Sequence, residues 1–218
     1  MHLVNLQEQN SIVNSFIAQL RDVNIQKDSM RFRKNVERIG EILGYELSKS
    51  LAYKTKNIAT PLENALVEMP EDSLVICSIL RAGLPLHTGL LNVFDSAENS
   101  FISAYRHHTS ETEFEIKVEY LATPNLEGKT LIVADPMLAT GRTFLNVLEA
   151  LKPMGTPKCI HLVSVIGSKP GIDLLQKSLP NTICLWIAAI DDTLNKHGYI
   201  VPGLGDAGDL CFGCKLSN

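Results

Sequence analysis

Five short apolar runs, all after residue 72, constrain the fold of this chain most strongly. In chain order they are SLVICSIL, SFISAYR, TLIVAD, CIHLVSVIG and TICLWIAAI. Apolar residues recur with helical spacing in the intervals 85–94, 143–152 and 171–179. Continuously apolar strands are buried on both faces of a sheet, and helices between them make the strands parallel. The pattern therefore predicts an α/β fold with a mostly parallel, twisted sheet flanked by helices.

Two other segments depart from this alternation. Residues 10–20 and 29–48 have helical spacing and predict an N-terminal helical segment, with Ser29 as the N-cap of the second helix. The polar stretch 107–119 begins like a loop and then alternates, which predicts a β-hairpin arm projecting from the sheet. Because no linker or repeat interrupts the chain, we expect a single domain over residues 1–218.

Composition and charge exclude several classes of protein. The chain is 45% hydrophobic and 20% charged, as soluble globular proteins are. Its net charge of −4 and pI near 5.9 differ from the basic surfaces of nucleic-acid-binding proteins. No apolar run is long enough to cross a bilayer, and the start MHLVNLQEQN lacks the pattern of a signal peptide. We therefore expect a cytoplasmic protein that binds neither nucleic acid nor membranes.

Cys211 and Cys214 form a C-x-x-C pair near the C-terminus. A zinc site would need two further ligands at suitable spacing, and a thioredoxin-like motif would lie where a strand meets a helix. The sequence offers neither context. We therefore predict two reduced thiols here and no metal-ligating residue in the protein.

The segment TLIVADPMLATGRTFLNVLEALK gives the strongest signal of a site. A predicted strand ends at Asp135, and residues 139–143 (ATGRT) lead into a helix. Gly141 lets the backbone approach an anion, the threonines supply hydroxyl donors, and the helix start supplies amides and a favourable dipole. An acid just before such a loop can accept hydrogen bonds from ribose hydroxyls. The segment predicts a ribose 5-phosphate site, with a simple strand–turn–helix connection as the structural alternative.

Two arginines follow other predicted strands. Arg81 begins the turn Arg-Ala-Gly after the strand 74–80, and Arg106 ends the run SFISAYR. A guanidinium group can bind phosphate or pyrophosphate with two hydrogen bonds. For Arg81 alone, a structural ion pair with a carboxylate is an equal alternative. Because the ends of parallel strands share one edge of the sheet, the two arginines and the phosphate loop suit a sugar with phosphate at one end and pyrophosphate at the other.

The glycines of VPGLGDAGDL have the spacing of a dinucleotide-binding fingerprint, but the context differs. That fingerprint opens a helix after a strand and needs an acidic residue about 20 positions later, whereas only ten residues follow Gly208 here. Asp206 and Asp209 would also repel a pyrophosphate. We interpret this loop as a contact to another ligand.

Together, DPMLATGRT, ILRAG, YR and HGYIVPGLGDAGD closely resemble the uracil phosphoribosyltransferase family, from RFR at 31–33 to residue 209. The resemblance implies that uracil and phosphoribosyl pyrophosphate give UMP and pyrophosphate, a pyrimidine salvage step, with Mg²⁺ bound to the phosphoribosyl substrate. It implies catalytic roles for Arg81, Arg106 and Asp135. The contacts to phosphoribosyl pyrophosphate would be Arg81, Arg106, Asp135, Pro136, Met137, Leu138, Ala139, Thr140, Gly141, Arg142, Thr143 and Asp206. The uracil contacts would be Ile200, Gly205, Asp206 and Ala207.

The resemblance also implies a homo-oligomer, dimeric or higher, with GTP as an effector. The sequence departs from the family at Arg142, where glycine is usual, and in the arm HHTSETEFE. Two alternatives stay open at this stage. One is a phosphoribosyltransferase for a different base, which the C-terminal loop disfavours. The other is a nucleotide-sensing regulator that binds RNA, which the acidic, aromatic-poor composition disfavours.

Overall fold

The computed structural model describes the backbone of residues 1–108 and 114–215 and the side chains of residues 1–103 and 120–215. The helices are α1 Val13–Arg21, α2 Ser29–Ser48, α3 Gly83–Leu91, α4 Arg142–Leu151, α5 Lys169–Ser178 and α6 Ala207–Phe212. The first strands are β1 His2–Asn5, β2 Tyr53–Ala59, β3 Asn64–Pro70, β4 Leu74–Leu80, β5 Glu98–His108 and β6 Phe114–Ala122. The later strands are β7 Thr130–Ala134, β8 Met137–Leu138, β9 Cys159–Ser168, β10 Cys184–Asp191, β11 Thr193–Leu194 and β12 Ile200–Val201.

The central sheet has the strand order β1-β10-β9-β7-β4-β5-β6, and the short β8 also pairs with β9. Its pairs are parallel except for β5 with β6, which is antiparallel. All five apolar runs of the sequence form strands of this sheet. The predicted mostly parallel α/β fold is therefore confirmed.

Helices cover both faces of the sheet. Because successive side chains of a strand point to opposite faces, neighbouring residues of one strand pack against different helices. On β4, Ile76 belongs to a core cluster with residues of α1, α2 and α3. Its neighbours Val75 and Cys77 belong to a second cluster with residues of α4 and α5. The N-terminal helices thus form part of the main core, and the predicted N-terminal helical segment is confirmed.

The start of α2 differs by one residue from the prediction. The helix begins at Ser29, and its N-cap is Asp28, whose side chain accepts a hydrogen bond from the backbone N–H of Arg31. Aspartate is as good an N-cap as serine, so the prediction that Ser29 is the cap is wrong because a second capping residue precedes it.

The described residues form three antiparallel strand pairs, β2–β3, β5–β6 and the short β11–β12, of which the sequence predicted the second. β5 and β6 form an antiparallel pair from Phe101 with Ala122 to His108 with Phe114, where the arm was expected, while residues 109–113 lie outside the described part. Another hairpin joins β2 and β3 as a separate two-stranded sheet. Its side chains are largely exposed, including apolar ones such as Leu62 and Leu66. Neither β2 nor β3 has the apolar alternation of a half-buried strand.

Candidate active site

The carboxyl ends of four neighbouring parallel strands bring the predicted site segments to one edge of the sheet. Arg81 follows β4, Asp135 follows β7, and the last residues of β9 and β10 are Ser168 and Asp191. These strands are adjacent in the order β10-β9-β7-β4. The expectation that the site segments meet at this edge is confirmed for the residues whose side chains are described.

The predicted phosphate loop, residues 135–143, turns sharply between β7 and α4. The Asp135 carboxylate accepts a hydrogen bond from the backbone N–H of Met137, at 3.1 Å from Oδ1, and this bond closes the turn. Met137 and Leu138 then pair with β9. Gly141 has a φ of +77° at the N-cap position of α4, a conformation that favours glycine. The loop therefore ends where α4 begins, beyond this edge of the sheet.

The side chains of the phosphate loop are unevenly buried. Pro136, Leu138 and Gly141 are buried, whereas Asp135, Met137, Ala139, Thr140 and Thr143 are half-buried. Arg142, at the first position of α4, is exposed. The residues able to reach a ligand are thus the acid, the threonines and Arg142, while the buried residues fix the shape of the loop.

Ser168, which no sequence pattern indicated as a site residue, supports the phosphate loop through hydrogen bonds. Its Oγ donates a hydrogen bond to the Ala139 carbonyl oxygen, at 2.6 Å, and accepts one from the Gly171 N–H at the start of α5. A Cβ on Gly171 would lie 2.2 Å from the Ala139 oxygen, and one on Gly141 would lie 2.7 Å from the Gly171 oxygen. α5 can therefore pack on the loop only because both positions are glycine.

Arg81 contacts the C-terminal segment across the candidate site. Its Nη2 donates to Asp209 Oδ1, at 3.0 Å, and to the Gly213 carbonyl oxygen, at 3.1 Å. Its Nε is buried and has no hydrogen-bond partner among the described residues. Both interpretations of Arg81 from the sequence thus have support, since it makes an ion pair and also retains an unsatisfied donor.

Arg106 lies on β5, three residues beyond Ser103, which pairs with Leu80 at the end of β4. Its backbone is therefore past the same edge of the sheet as Arg81. Its side chain lies outside the described side chains, so its predicted contact with pyrophosphate stays a prediction.

The predicted uracil loop follows β12 and ends in α6. Ile200 and Ala207 are buried in the core cluster that also contains Leu204. The Asp206 side chain caps α6 by accepting a hydrogen bond from the Asp209 N–H. Gly205 is exposed and has a φ of +92°. The loop therefore presents mainly its backbone, and the side chains of Ile200 and Ala207 anchor it.

The N-terminal helices hold this loop in place. Arg21, the last residue of α1, forms an ion pair with Asp191, and both residues hydrogen-bond the backbone of Gly203. Gln26 donates to the Leu204 carbonyl, and Arg33 of α2 donates to the Cys211 carbonyl. None of these contacts was predicted. Those made by Arg21, Gln26 and Arg33 join residues 170 or more positions apart, and the bond between Asp191 and Gly203 spans 12 positions.

Burial raises the pKa of the Cys211 thiol to about 12, so this cysteine is protonated at neutral pH. Cys214 is exposed, and both cysteines are free.

Among the side chains that the structure describes, no group of three or more His, Cys, Asp or Glu residues is arranged to hold a metal ion. No helix in the described part of the chain is long and apolar enough to cross a bilayer.

Comparison with known proteins identifies the family. Residues 7–214 match the family model described as uracil phosphoribosyltransferase. A uracil phosphoribosyltransferase of Porphyromonas gingivalis is 47% identical over 99% of this chain and 100% of its own length. One of Methanococcus vannielii is 43% identical over 87% of this chain and 82% of its own length.

Solved structures agree with this assignment at the level of the fold. A protein from Aquifex aeolicus superposes with a TM-score of 0.87 at 28% identity, over 99% of this chain and 100% of that one. A hypoxanthine phosphoribosyltransferase from Staphylococcus aureus superposes with a TM-score of 0.53 at 16% identity, over 85% of this chain and 84% of that one. The second likeness shows the common phosphoribosyltransferase fold, and the family model spans the C-terminal loop as part of residues 7–214. The chain belongs to the uracil phosphoribosyltransferase family.

Proposed function

We propose that this protein transfers the phosphoribosyl group of phosphoribosyl pyrophosphate to uracil, giving UMP and pyrophosphate in pyrimidine salvage. One observation carries the proposal beyond family membership. Arg81, the predicted pyrophosphate contact, lies at the end of β4 and touches Asp209 and Gly213, next to the predicted uracil loop. The leaving group and the attacking base would therefore meet at the same edge of the sheet.

The phosphoribosyl group would bind along residues 135–143. The first amides of α4, together with Thr140 and Thr143, would hold the 5′-phosphate, and the Asp135 carboxylate would accept hydrogen bonds from the ribose hydroxyls. The left-handed Gly141 and the support from Ser168 suit this role, because an anion site needs backbone amides held in fixed directions.

The reaction breaks the bond between the anomeric carbon and the pyrophosphate oxygen and forms one to a ring nitrogen of uracil. The transition state has oxocarbenium character, so the protein has to stabilise charge on the departing pyrophosphate and align the base. Arg81 and Arg106 would supply positive charge to the pyrophosphate. The unsatisfied Nε of Arg81 gives this arginine a donor for that purpose in addition to the one that Asp209 occupies.

Uracil would be bound by backbone groups of Gly205, Asp206 and Ala207. The base presents an acceptor, a donor and an acceptor along its O2, N3–H and O4 edge, which amide, carbonyl and amide can match. This assignment is supported by the burial of the Ile200 and Ala207 side chains and by the exposure of Gly205. Cytosine would place two buried polar groups against like partners, so we expect discrimination of roughly 10⁴-fold.

Magnesium would bind with the phosphoribosyl substrate. In proteins this ion keeps several waters and is held by one or two carboxylates together with substrate phosphates. The donor set fits, because Asp135 offers a half-buried carboxylate at the end of β7, beside the predicted ribose. When bound, the ion would neutralise charge on the pyrophosphate.

The proposal includes a homo-oligomer, dimeric or higher. It is supported by the β2–β3 hairpin, which leaves Leu62 98% exposed and Leu66 77% exposed. The hairpin also exposes Ile58, Val67 and Met69, and a patch of apolar side chains marks an interaction site. A second copy of this chain is the partner that the family resemblance implies. Sedimentation of the wild-type protein and of a Leu62→Lys, Leu66→Lys variant tests it, and a wild type that sediments as a monomer contradicts it.

The proposal extends to the cytoplasm as the compartment, supported by the five free cysteines, because reducing compartments keep thiols unpaired. GTP is included as an effector on the family resemblance alone. Assay of uracil transfer with and without GTP tests that part.

The experiment that tests the main proposal incubates the purified protein with labelled phosphoribosyl pyrophosphate, Mg²⁺ and a panel of bases. We expect product with uracil and none above background with cytosine, orotate, adenine, guanine or hypoxanthine. Transfer to a purine or to orotate at a comparable rate contradicts the assignment of uracil. If none of the bases is converted, the proposal that this protein is a phosphoribosyltransferase is contradicted.

A further inference from the structure

Gly203 is held through both of its backbone groups by two distant side chains. Its carbonyl oxygen accepts a hydrogen bond from Arg21 Nη1, at 3.0 Å, and its N–H donates to Asp191 Oδ2, also at 3.0 Å. Arg21 and Asp191 are themselves joined by two hydrogen bonds, of 2.8 Å and 2.7 Å. The three residues form a closed network that we call the Gly203 clamp.

The clamp fixes a backbone that has little freedom of its own. Gly203 has a φ of +61°, and a Cβ at this position would lie 2.1 Å from the Ile200 carbonyl oxygen. Asp191 is 6% exposed, and the Arg21 side chain is 22% exposed. A two-pronged ion pair with this little solvent holds its geometry more closely than a surface pair does.

The position of the clamp gives it a role beyond stability. Gly203 is two residues before the exposed Gly205, at which the predicted uracil contacts begin. Burying an ion pair is a costly way to gain stability, since apolar residues of similar size often do as well or better. Here the pair sets where a loop backbone lies, and the backbone is the part of that loop that can contact a base.

We propose that Arg21 and Asp191 are positioning residues for uracil, which act by holding Gly203 so that residues 205–207 present their backbone groups to the base. The inference rests on the proposed function, because it takes the uracil contacts from there. Arg21 is the last residue of α1. The inference therefore gives α1, which is far in sequence from the phosphate loop, a part in base recognition.

The test compares Arg21→Lys and Arg21→Met with the wild type in initial-rate assays. In one series the uracil concentration is varied at saturating phosphoribosyl pyrophosphate, and in the other phosphoribosyl pyrophosphate is varied at saturating uracil. Arg31→Lys and Arg31→Met are matched controls, because Arg31 also forms an ion pair, with Asp28 at 3.8 Å, but its side chain is 48% exposed on α2. Asp191→Asn is made in parallel, since it keeps the volume and an acceptor oxygen for the Gly203 N–H. Thermal unfolding is measured for every variant.

We expect Arg21→Met to raise the KM for uracil about 10- to 100-fold, the scale of effect that a loop displaced by about 1 Å can have. Arg21→Lys keeps the charge but not the planar fork, so its KM for uracil should lie between those of the Met variant and the wild type. The KM for phosphoribosyl pyrophosphate should stay within about twofold in both, and the Arg31 variants should match the wild type.

Two results overturn the inference while leaving the proposed function intact. One is an unchanged KM for uracil in folded Arg21 and Asp191 variants whose melting temperature falls, because the pair would then be structural only. The other is an equal rise in both KM values, which would place the effect on the whole site. A wild-type protein that does not use uracil contradicts the proposed function instead. If the Arg21 variants do not fold, Asp191→Asn decides by the same two KM values.

Discussion

Arg81 is the residue at which the two halves of the candidate site meet. Arg81 directly follows β4, and its guanidinium group contacts Asp209 of α6. We predict that Arg81→Ala lowers kcat/KM for phosphoribosyl pyrophosphate about 100-fold, because a charge-assisted contact to the leaving group is lost. Steady-state kinetics measure this change. The side chain is 37% exposed, so the melting temperature should change little.

The matched control for this prediction is Arg31→Ala, which removes an arginine from the surface of α2. Its kinetics should equal those of the wild type. Near-normal turnover in Arg81→Ala would show that this arginine belongs only to its ion pair with Asp209.

Gly205 tests whether backbone conformation selects the base. A Cβ there would meet only Leu210, at 3.7 Å, so a side chain has room, but the φ of +92° is unfavourable for any residue except glycine. We predict that Gly205→Val abolishes uracil binding and spares the binding of phosphoribosyl pyrophosphate. Calorimetric titration of each substrate measures both.

Gly128→Val provides the comparison, because Gly128 has a φ of +68° and open space around its α-carbon. This variant suffers similar backbone strain in a turn before β7, away from the loop. We expect it to bind both substrates normally. Full activity of Gly205→Val would show that residues 205–207 do not bind the base.

At the scale of elements, Ser168 connects α5 to the phosphate loop. We predict that Ser168→Ala raises the KM for phosphoribosyl pyrophosphate several-fold, because the Ala139 carbonyl loses its donor and the loop relaxes. Loss of the N-cap of α5 should also cost about 1 kcal/mol of stability, or roughly 2–4 °C in melting temperature. Kinetics and thermal unfolding measure the two effects.

Ser50→Ala is the control, since it also removes one hydroxyl that donates to a backbone carbonyl, that of Leu47, at the end of α2. It should leave both KM values unchanged. An unchanged KM in Ser168→Ala would mean that the packing of Gly171 on Ala139 holds the loop without the hydroxyl.

What the sequence could predict follows from the range of the interactions involved. Buried strands and amphipathic helices are encoded by local periodicity, so the sheet, the helices from 83 to 178 and the phosphate loop could be located. The Arg21–Asp191 pair spans 170 positions and has no local pattern. Ser168 resembles any N-cap until the fold places Ala139 beside it.

The β2–β3 hairpin was missed for the opposite reason. Its residues are exposed on both faces, so they need no alternation of apolar and polar side chains. Strand prediction from a single sequence depends on that alternation or on a continuous apolar run, and β2 and β3 have neither. The same exposure is what supports contact with a second copy of the chain.

At the scale of the whole molecule, a buried histidine couples stability to pH. His161 is 4% exposed and accepts a hydrogen bond at Nδ1 from the indole N–H of Trp186. Burial lowers the pKa of His161 from 6.5 to about 4, and burial also lowers the pKa of His87. Below pH 6.5 the unfolded chain therefore binds protons that the folded protein does not. The folded state loses stability as the pH falls.

We predict that His161 contributes a loss of roughly 1 kcal/mol in the free energy of unfolding for each pH unit between 6 and 4. Urea unfolding at several pH values measures it, with Trp186 fluorescence as the signal because the chain has one tryptophan. His161→Gln should flatten this dependence, whereas His2→Gln, which changes an exposed side chain at the start of β1, should not. Parallel pH profiles for the wild type and His161→Gln would contradict the assignment.

The edge strand β1 has a consequence for biosynthesis. Residues 2–5 pair in register with residues 184–187, so β1 has to wait for a strand that is translated much later. α1 and α2 likewise reach their contacts at Asp191 and Cys211 only when those residues have been translated. A nascent chain can assemble the middle of the sheet earlier, but its uracil loop and the helices that hold it are completed together, once translation has passed Cys211.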